Sequence, residues 1–238
     1  MIVCQLLDNC APRGIHPKAD MSTESVDDPI FELRMYSVAP GRMEDMASRA
    51  RQDLRKLLPR HGIHPLAAWT VDAGPGVPLF AYLTPWRRMQ QRSRAWADFY
   101  ADPAWLEARA RTNAGSELVE SFEVLFLREI TGWTPRAEGG APRLVELVVQ
   151  ATAVGQGAAV RQQILEAAVP ALQTAGACVH GVFDVISGRP LPCAVFVIGW
   201  DSAAQRERAL DHATVAPLLK RADRYLMREL PVAWEETQ

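Results

Sequence analysis

Cysteine is scarce. The 238 residues hold four, Cys4, Cys10, Cys178 and Cys193, and no two of them form a C-x-x-C pair. Neither a zinc ribbon nor a thioredoxin motif is therefore present, and free thiols in a reducing cytosol are the simplest reading. Long apolar runs are also missing. None approaches the roughly 20 residues needed to span a bilayer, which excludes an integral membrane protein. Charge of one sign is not in excess either, with 26 basic and 28 acidic residues and a net charge of −2. That removes the overall electrostatic case for a nucleic-acid partner. The sequence has no G-x-G-x-x-G, no Walker loop and no G-x-S-x-G. This argues against classical nucleotide, hydride and serine-hydrolase chemistry, and no cofactor is expected.

What is present is ordinary globular usage, 48% apolar and 23% charged. Residues 1–28 stand apart. They show no clear period and carry Arg13 and Lys18 against Asp8, Asp20, Glu24, Asp27 and Asp28. A poorly ordered tail is expected there. The short apolar run at the start has no basic residue ahead of it. That does not fit a secretory signal, and a cytoplasmic location is expected.

The most informative feature is self-similarity at one offset. Shifted by 114 residues, Glu32-Leu33 falls on Glu146-Leu147, Gly41 on Gly155, Gly62 on Gly176, Gly74 on Gly188 and Pro78 on Pro192. Trp86 falls on Trp200, Gln91-Arg92 on Gln205-Arg206 and Pro103 on Pro217. Glycine, proline and tryptophan in register punctuate backbone geometry, so the chain reads as two copies of one unit. The expected division is a first unit over 29–130, a linker over 131–142 and a second, diverged unit over 143–238.

Within the first unit, Phe31, Leu33 and Met35 alternate with Glu32, Arg34 and Tyr36, the pattern of a half-buried strand. Met43, Met46, Ala47, Ala50, Leu54, Leu57 and Leu58 follow helical spacing. Leu66 to Val71 and Leu79 to Leu83 predict a hairpin around Asp72 to Gly76. Trp86 to Tyr100 predicts a second helix, and Asp102-Pro103 supplies a cap and first-turn proline for a further helical stretch. Phe122 to Ile130 predicts a fourth strand. The order β-α-β-β-α-β is the ferredoxin-like unit. Two such units in one chain predict an α+β fold, with the sheets facing each other as a pseudo-two-fold α+β barrel.

The residues of the first unit resemble the NIPSNAP family: Phe31-Glu32-Leu33-Arg34-x-Tyr36, Pro40-Gly41, Arg60-His61-Gly62, Trp69 and Asp102-Pro103-x-Trp105. In the second unit Val148, Gln150 and Ala175 stand in place of Arg34, Tyr36 and His61. The resemblance implies the dimeric α+β barrel fold. The wider superfamily it implies holds cofactor-independent monooxygenases, cyclases, isomerases and haem proteins.

Aromatics divide unequally, 13 from Phe31 to Trp133 against 5 from Arg143 onward. A site for a flat organic ligand is therefore expected in the first unit, unless that unit simply has a bulkier core. Arg34, Tyr36, Trp69, Trp96 and Tyr100 are the candidate binding residues. His64 and Tyr82 are the candidate acid/base residues, His64 because its reference pKa lies near neutrality. Glu32, Arg34 and Tyr36 share one strand face, expected to point into the barrel, where Glu32 and Arg34 could anchor a ligand or pair with each other. His61 is expected to cap a helix end, and His180 with Asp184 forms a weaker acid/base pair. The arginines at 87, 88, 92 and 94 are expected on a solvated helix face. H-x-x-H at His61 and His64 lacks a third ligand, so no metal is expected. The resemblance to the superfamily implies a small hydrophobic organic molecule as the expected partner, aromatic or polyketide-like, processed by oxygenation, cyclisation or isomerisation in the manner of a biosynthetic tailoring enzyme. A non-catalytic ligand- or protein-binding barrel is the alternative, a haem barrel with a histidine axial ligand the third, and further homo-oligomerisation stays open.

Overall fold

The computed structural model describes residues 29–135, 144–211, 215–216 and 222–235. The expected tail over 1–28 and most of the linker over 131–142 lie outside the described residues.

The first repeat builds β1 (Ile30–Val38), α1 (Met43–Arg49), α2 (Arg55–Arg60), β2 (Ala67–Ala73), β3 (Leu79–Trp86), α3 (Met89–Ala101), α4 (Pro103–Thr112) and β4 (Val119–Glu129). The second builds β5 (Leu144–Ala151), α5 (Gly157–Gln163), α6 (Val169–Thr174), β6 (Cys178–Ser187), β7 (Cys193–Trp200), α7 (Ala203–Leu210) and β8 (Ala222–Glu229). A π-helical turn joins α1 to α2 over Ala50–Leu54 and α5 to α6 over Ile164–Ala168. The two π turns are 114 residues apart, so the duplication reaches even this irregularity. Trp86 closes β3 instead of opening a helix. At the start of α4, the Asp102 side chain accepts from the Ala104 backbone N–H at 2.8 Å and Pro103 occupies the first turn, as the sequence predicts.

All eight strands form one closed antiparallel barrel in the order β1-β3-β2-β8-β5-β7-β6-β4. Each unit keeps the order fourth, first, third, second, and the seams are β2 to β8 and β4 to β6. The fold is the α+β barrel of two ferredoxin-like units that the repeat predicts. Gly74 and Gly188, one per unit, show how tightly the seams close. A Cβ on Gly188, at φ +108°, would collide with the Val124 carbonyl oxygen on β4. One on Gly74, at φ +145°, would lie 2.8 Å from the Arg224 carbonyl oxygen on β8. Arg189 ties the same edges together, bonding Glu123 on β4 and both Asp223 and Tyr225 on β8.

The barrel interior is apolar and filled, with Phe31, Leu33 and Met35 packed among Leu147, Val197 and Met227. This corrects the expected direction of β1. Glu32, Arg34 and Tyr36 point outward, beneath the helices of the first unit. The interior is packed with apolar side chains, whereas the helix layer brings Trp96 and Arg92 to the carboxylate. Separate apolar layers seal the helices of the first and second units against the outer sheet surfaces. Among the described residues, no helix is long and apolar enough to cross a membrane.

Candidate functional site

The outer face of the first unit's sheet carries a polar group that the fold has to satisfy. Glu32 is fully buried and its carboxylate takes five donors. Oε1 accepts from Arg34 Nε and Arg92 Nη2, both at 2.8 Å. Oε2 accepts from Trp86 Nε1 at 2.8 Å, Arg92 Nε at 3.1 Å and Trp96 Nε1 at 3.1 Å. Burial alone would raise the Glu32 carboxyl, but hydrogen bonds from Arg92 and the charge of Arg34 hold it below its ordinary value. Arg92 thus leaves the solvated face assigned to its cluster, while Arg87, Arg88 and Arg94 stay exposed. The second unit repeats the core of this arrangement. Glu146 accepts from Trp200 Nε1 at 3.1 Å and from Arg206 at 2.9 and 2.6 Å. Glu, Trp and Arg recur at the common offset, so this lock belongs to the fold.

Arg34 belongs to the first unit alone. Beyond Glu32, its Nη1 donates to the Tyr36 hydroxyl at 2.8 Å and the Tyr100 hydroxyl at 3.1 Å. The Tyr36 and Tyr82 hydroxyls meet at 2.9 Å. The guanidinium stacks 3.7 Å from the centre of a Trp96 ring, with Phe122 at 5.2 Å. These bonds use Nε and Nη1. Burial pushes the Tyr82 phenol well above its ordinary value, and the Tyr36 oxygen beside it adds to the effect. Burial likewise raises Tyr36, partly offset by Arg34. Both phenols are therefore protonated at neutral pH.

These side chains floor a cavity of about 590 Å³ between the sheet and the helices. Its far wall comes from Arg49 on α1, Leu54, Leu58 on α2, and Phe99 and Trp105 on α3 and α4. Tyr100, Leu106 and Phe122 line it too and are 44%, 51% and 51% exposed, and with the exposed Arg109, Glu117, Glu120 and Ser121 they form a mouth of mixed character. Arg49 is 4% exposed. Its Nε donates to Thr112 Oγ1 at 2.8 Å and its Nη2 to Asn113 Oδ1 at 2.5 Å. Burial lowers its pKa to about 10, with Asp53 opposing.

Of the candidate residues, Arg34, Tyr36, Tyr82, Trp96 and Tyr100 come together at this cavity. Trp69 does not. It lies on the inward side of β2 in the barrel core, edge-on to Trp133 at 6.5 Å. His64 does not line the cavity and is exposed ahead of β2. His61 stands at the C-terminal end of α2, and its Nε2 bonds Asp102 Oδ2 at 2.9 Å, so it ties the end of α2 to the start of α4. His180 falls on a β-bulge that breaks the alternation needed to align it with Asp184. It bonds the Thr134 carbonyl oxygen at 3.0 Å, while Asp184 lies 3.7 Å from Arg161. Among the described residues no histidine lines the cavity, so a haem held by a histidine axial ligand does not fit it. No cluster of three or more His, Cys, Asp or Glu side chains suited to a metal ion occurs among the described residues.

Sequence reasoning missed Arg49. The signal was there: Arg49 and Asp53 lie three and seven residues after Met46, on the face that Met46 and Ala50 turn inward.

The arginine, tryptophan and tyrosines of this cavity stand on the same stretch that matches a known family. Residues 31–134 match the model of the NIPSNAP family. The match ends at residue 134, and the second repeat lies outside it. No curated protein matches the chain. Among solved structures, a candidate monooxygenase from Lactobacillus acidophilus NCFM is 10% identical, with a TM-score of 0.57 over 88% of this chain and 98% of its own. Chlorite dismutase from Candidatus Nitrospira defluvii, in complex with imidazole, is 9% identical with a TM-score of 0.54, over 88% and 93%. A NIPSNAP-like domain protein from Burkholderia xenovorans is 19% identical over 48% of this chain and 91% of its own, with a TM-score of 0.37. At such identities the likeness is one of fold.

Proposed function

We propose that the protein is a small-molecule enzyme that holds a hydrophobic, aromatic or polyketide-like substrate in the cavity of its NIPSNAP unit and stabilises an enolate or phenolate oxygen there. The observation that carries this is the Arg34 guanidinium, fixed between Glu32 and the Trp96 ring and linked through Tyr36 to Tyr82. A cation held rigid in a water-poor pocket favours the ionised form of a bound enol. If Arg34 donates to Tyr36 and Tyr36 to Tyr82, the Tyr82 proton faces the substrate. Tyr82 then acts as a proton donor, because its raised pKa disfavours a role as base. Oxygenation, cyclisation and isomerisation all pass through such an oxygen, and oxygenation is the one the monooxygenase-like neighbours name. The reaction needs no metal or cofactor ligand from the residues lining the cavity.

The test uses 2-tetralone, an aromatic ketone with an acidic CH2, in D2O buffered with phosphate, which serves as the base that takes the CH2 proton, and follows exchange of those protons for deuterium by NMR. Wild-type protein should accelerate the exchange. Tyr82→Phe should cut that acceleration by about 100-fold, the usual cost of losing one oxyanion donor. Exchange unaffected by Tyr82→Phe and Arg34→Met would remove the catalytic reading. The second reading is a non-catalytic binding barrel, favoured by the absence of histidine from the cavity lining among the described residues. It predicts binding of the ketone with no accelerated exchange.

A further inference from the structure

The charges around the cavity do not balance. On the sheet side, Arg34 and Arg92 share the single carboxylate of Glu32. Glu32 is saturated by its donors, so that group keeps one positive charge in excess. On the helix side, Arg49 is buried and its hydrogen-bond partners, Thr112 and Asn113, are neutral. No carboxylate lies within ion-pair distance of Arg49 among the described residues. Asp53, one turn on, accepts from Arg111 Nη2 at Oδ1 at 2.6 Å, and its buried Oδ2 has no hydrogen-bond partner. Its field favours the cation without bonding it. Of the carboxylates lining the cavity, Glu117 is engaged with Arg109 and Asn113, and Glu120 is exposed. A buried guanidinium without an anion is costly and gains most when an anion arrives.

We propose that the substrate is an aromatic acid: its rings lie between the Trp96 side and the Trp105 side of the cavity, and its carboxylate is bound by Arg49. The bonds Arg49 already makes use Nε and Nη2, which leaves Nη1 for the ligand. Trp105 lies 5.6 Å from the Arg49 guanidinium and places an aromatic wall beside the charge. The polar end at Arg49 and the enolate end at Arg34 come from different layers, helix and sheet. A ligand that reaches both is held in one orientation, which positions its reacting carbon. The second unit has no counterpart of this pair. Gln163 stands at the position of Arg49 and Val148 at that of Arg34. The inference rests on the ligand-binding reading above and adds the charge of the ligand.

The test compares two probes of equal shape, anthracene-2-carboxylate and anthracene-2-carboxamide, by energy transfer from tryptophan. Wild-type protein should bind the acid at least about tenfold tighter than the amide, the scale of one hydrogen-bonded charge pair. Arg49→Gln keeps a polar group opposite Thr112 and Asn113 and removes the charge. It should abolish that preference, weakening the acid about tenfold and the amide less than twofold. If Arg49→Gln does not fold by circular dichroism, the wild-type preference and its survival in about 0.5 M salt decide the matter, because a buried pair is screened little, and a preference lost in salt overturns the assignment to Arg49. Equal binding of acid and amide by wild type, with both weakened by Trp96→Ala, overturns the charge inference and leaves the ligand site standing. Binding of neither probe overturns both. A preference for the acid that survives Arg49→Gln also overturns it, because the anion then sits elsewhere.

Discussion

Glu32 is the residue on which the site depends. Its carboxylate is fully buried and separates two guanidiniums, so its loss leaves two cations facing each other. Glu32→Gln should cost about 3–5 kcal/mol in urea denaturation, as for removing one partner of a buried ion pair. The pH dependence follows from the same contacts. Hydrogen bonds and charge overcome burial to hold the folded-state pKa below the unfolded one. The group therefore contributes stability that is fully present above about pH 4.3 and is lost as pH falls through the folded value. Glu32→Gln should flatten the acid limb of the stability profile. A variant with the wild-type acid slope would show that Glu32 does not carry it. The recurrence of Glu32, Trp86 and Arg92 as Glu146, Trp200 and Arg206 was legible, but not that they meet, because Arg92 was expected on a solvated helix face and Glu32 inside the barrel. His64 and Trp69 misled for a similar reason. Histidine chemistry and aromatic bulk say what a side chain could do, and only the tertiary path of β2 decides that one is exposed and the other inside the barrel.

For β1 the alternation was plain and its direction was not. Period-two patterning identifies which residues share a face, while the choice of face depends on what each layer can offer a polar group. In a closed barrel the sealed side takes Phe31, Leu33 and Met35, and the helix side takes the acid and the arginine. The π turns escaped notice because the stripe Ala50, Leu54, Leu57 and Leu58 fits an α-helix equally well. The glycine that opens each hairpin turn could be read, and its reason is now visible. Gly188→Ala puts a Cβ into the Val124 carbonyl at a φ that side chains avoid. It should destabilise the protein by about 2 kcal/mol or more. Gly132→Ala, which meets nothing within 4 Å, is the control and should stay within about 0.5 kcal/mol. Equal thermal shifts for the two would mean the β4 to β6 seam yields more easily than its geometry implies.

Duplication explains how one chain can keep a common frame and still differ between its units at one cavity. Each unit supplies a sheet, a Glu-Trp-Arg lock and two seam edges, and the barrel closes only when both are present. With the shared interior filled, a ligand site has to lie outside it, under the helices of one unit. There the first unit places Arg34, Tyr82 and Trp96 where the second has Val148, Phe196 and Leu210. The contrast in aromatic content pointed to the unit that holds this cavity but not to the layer. The most direct measurement is a crystal structure with a bound aromatic acid such as anthracene-2-carboxylate. The account predicts density between the first unit's sheet and helices, with the rings beside Trp96 and the carboxylate at Arg49. Density inside the barrel, at a seam or beneath the second unit's helices would contradict it.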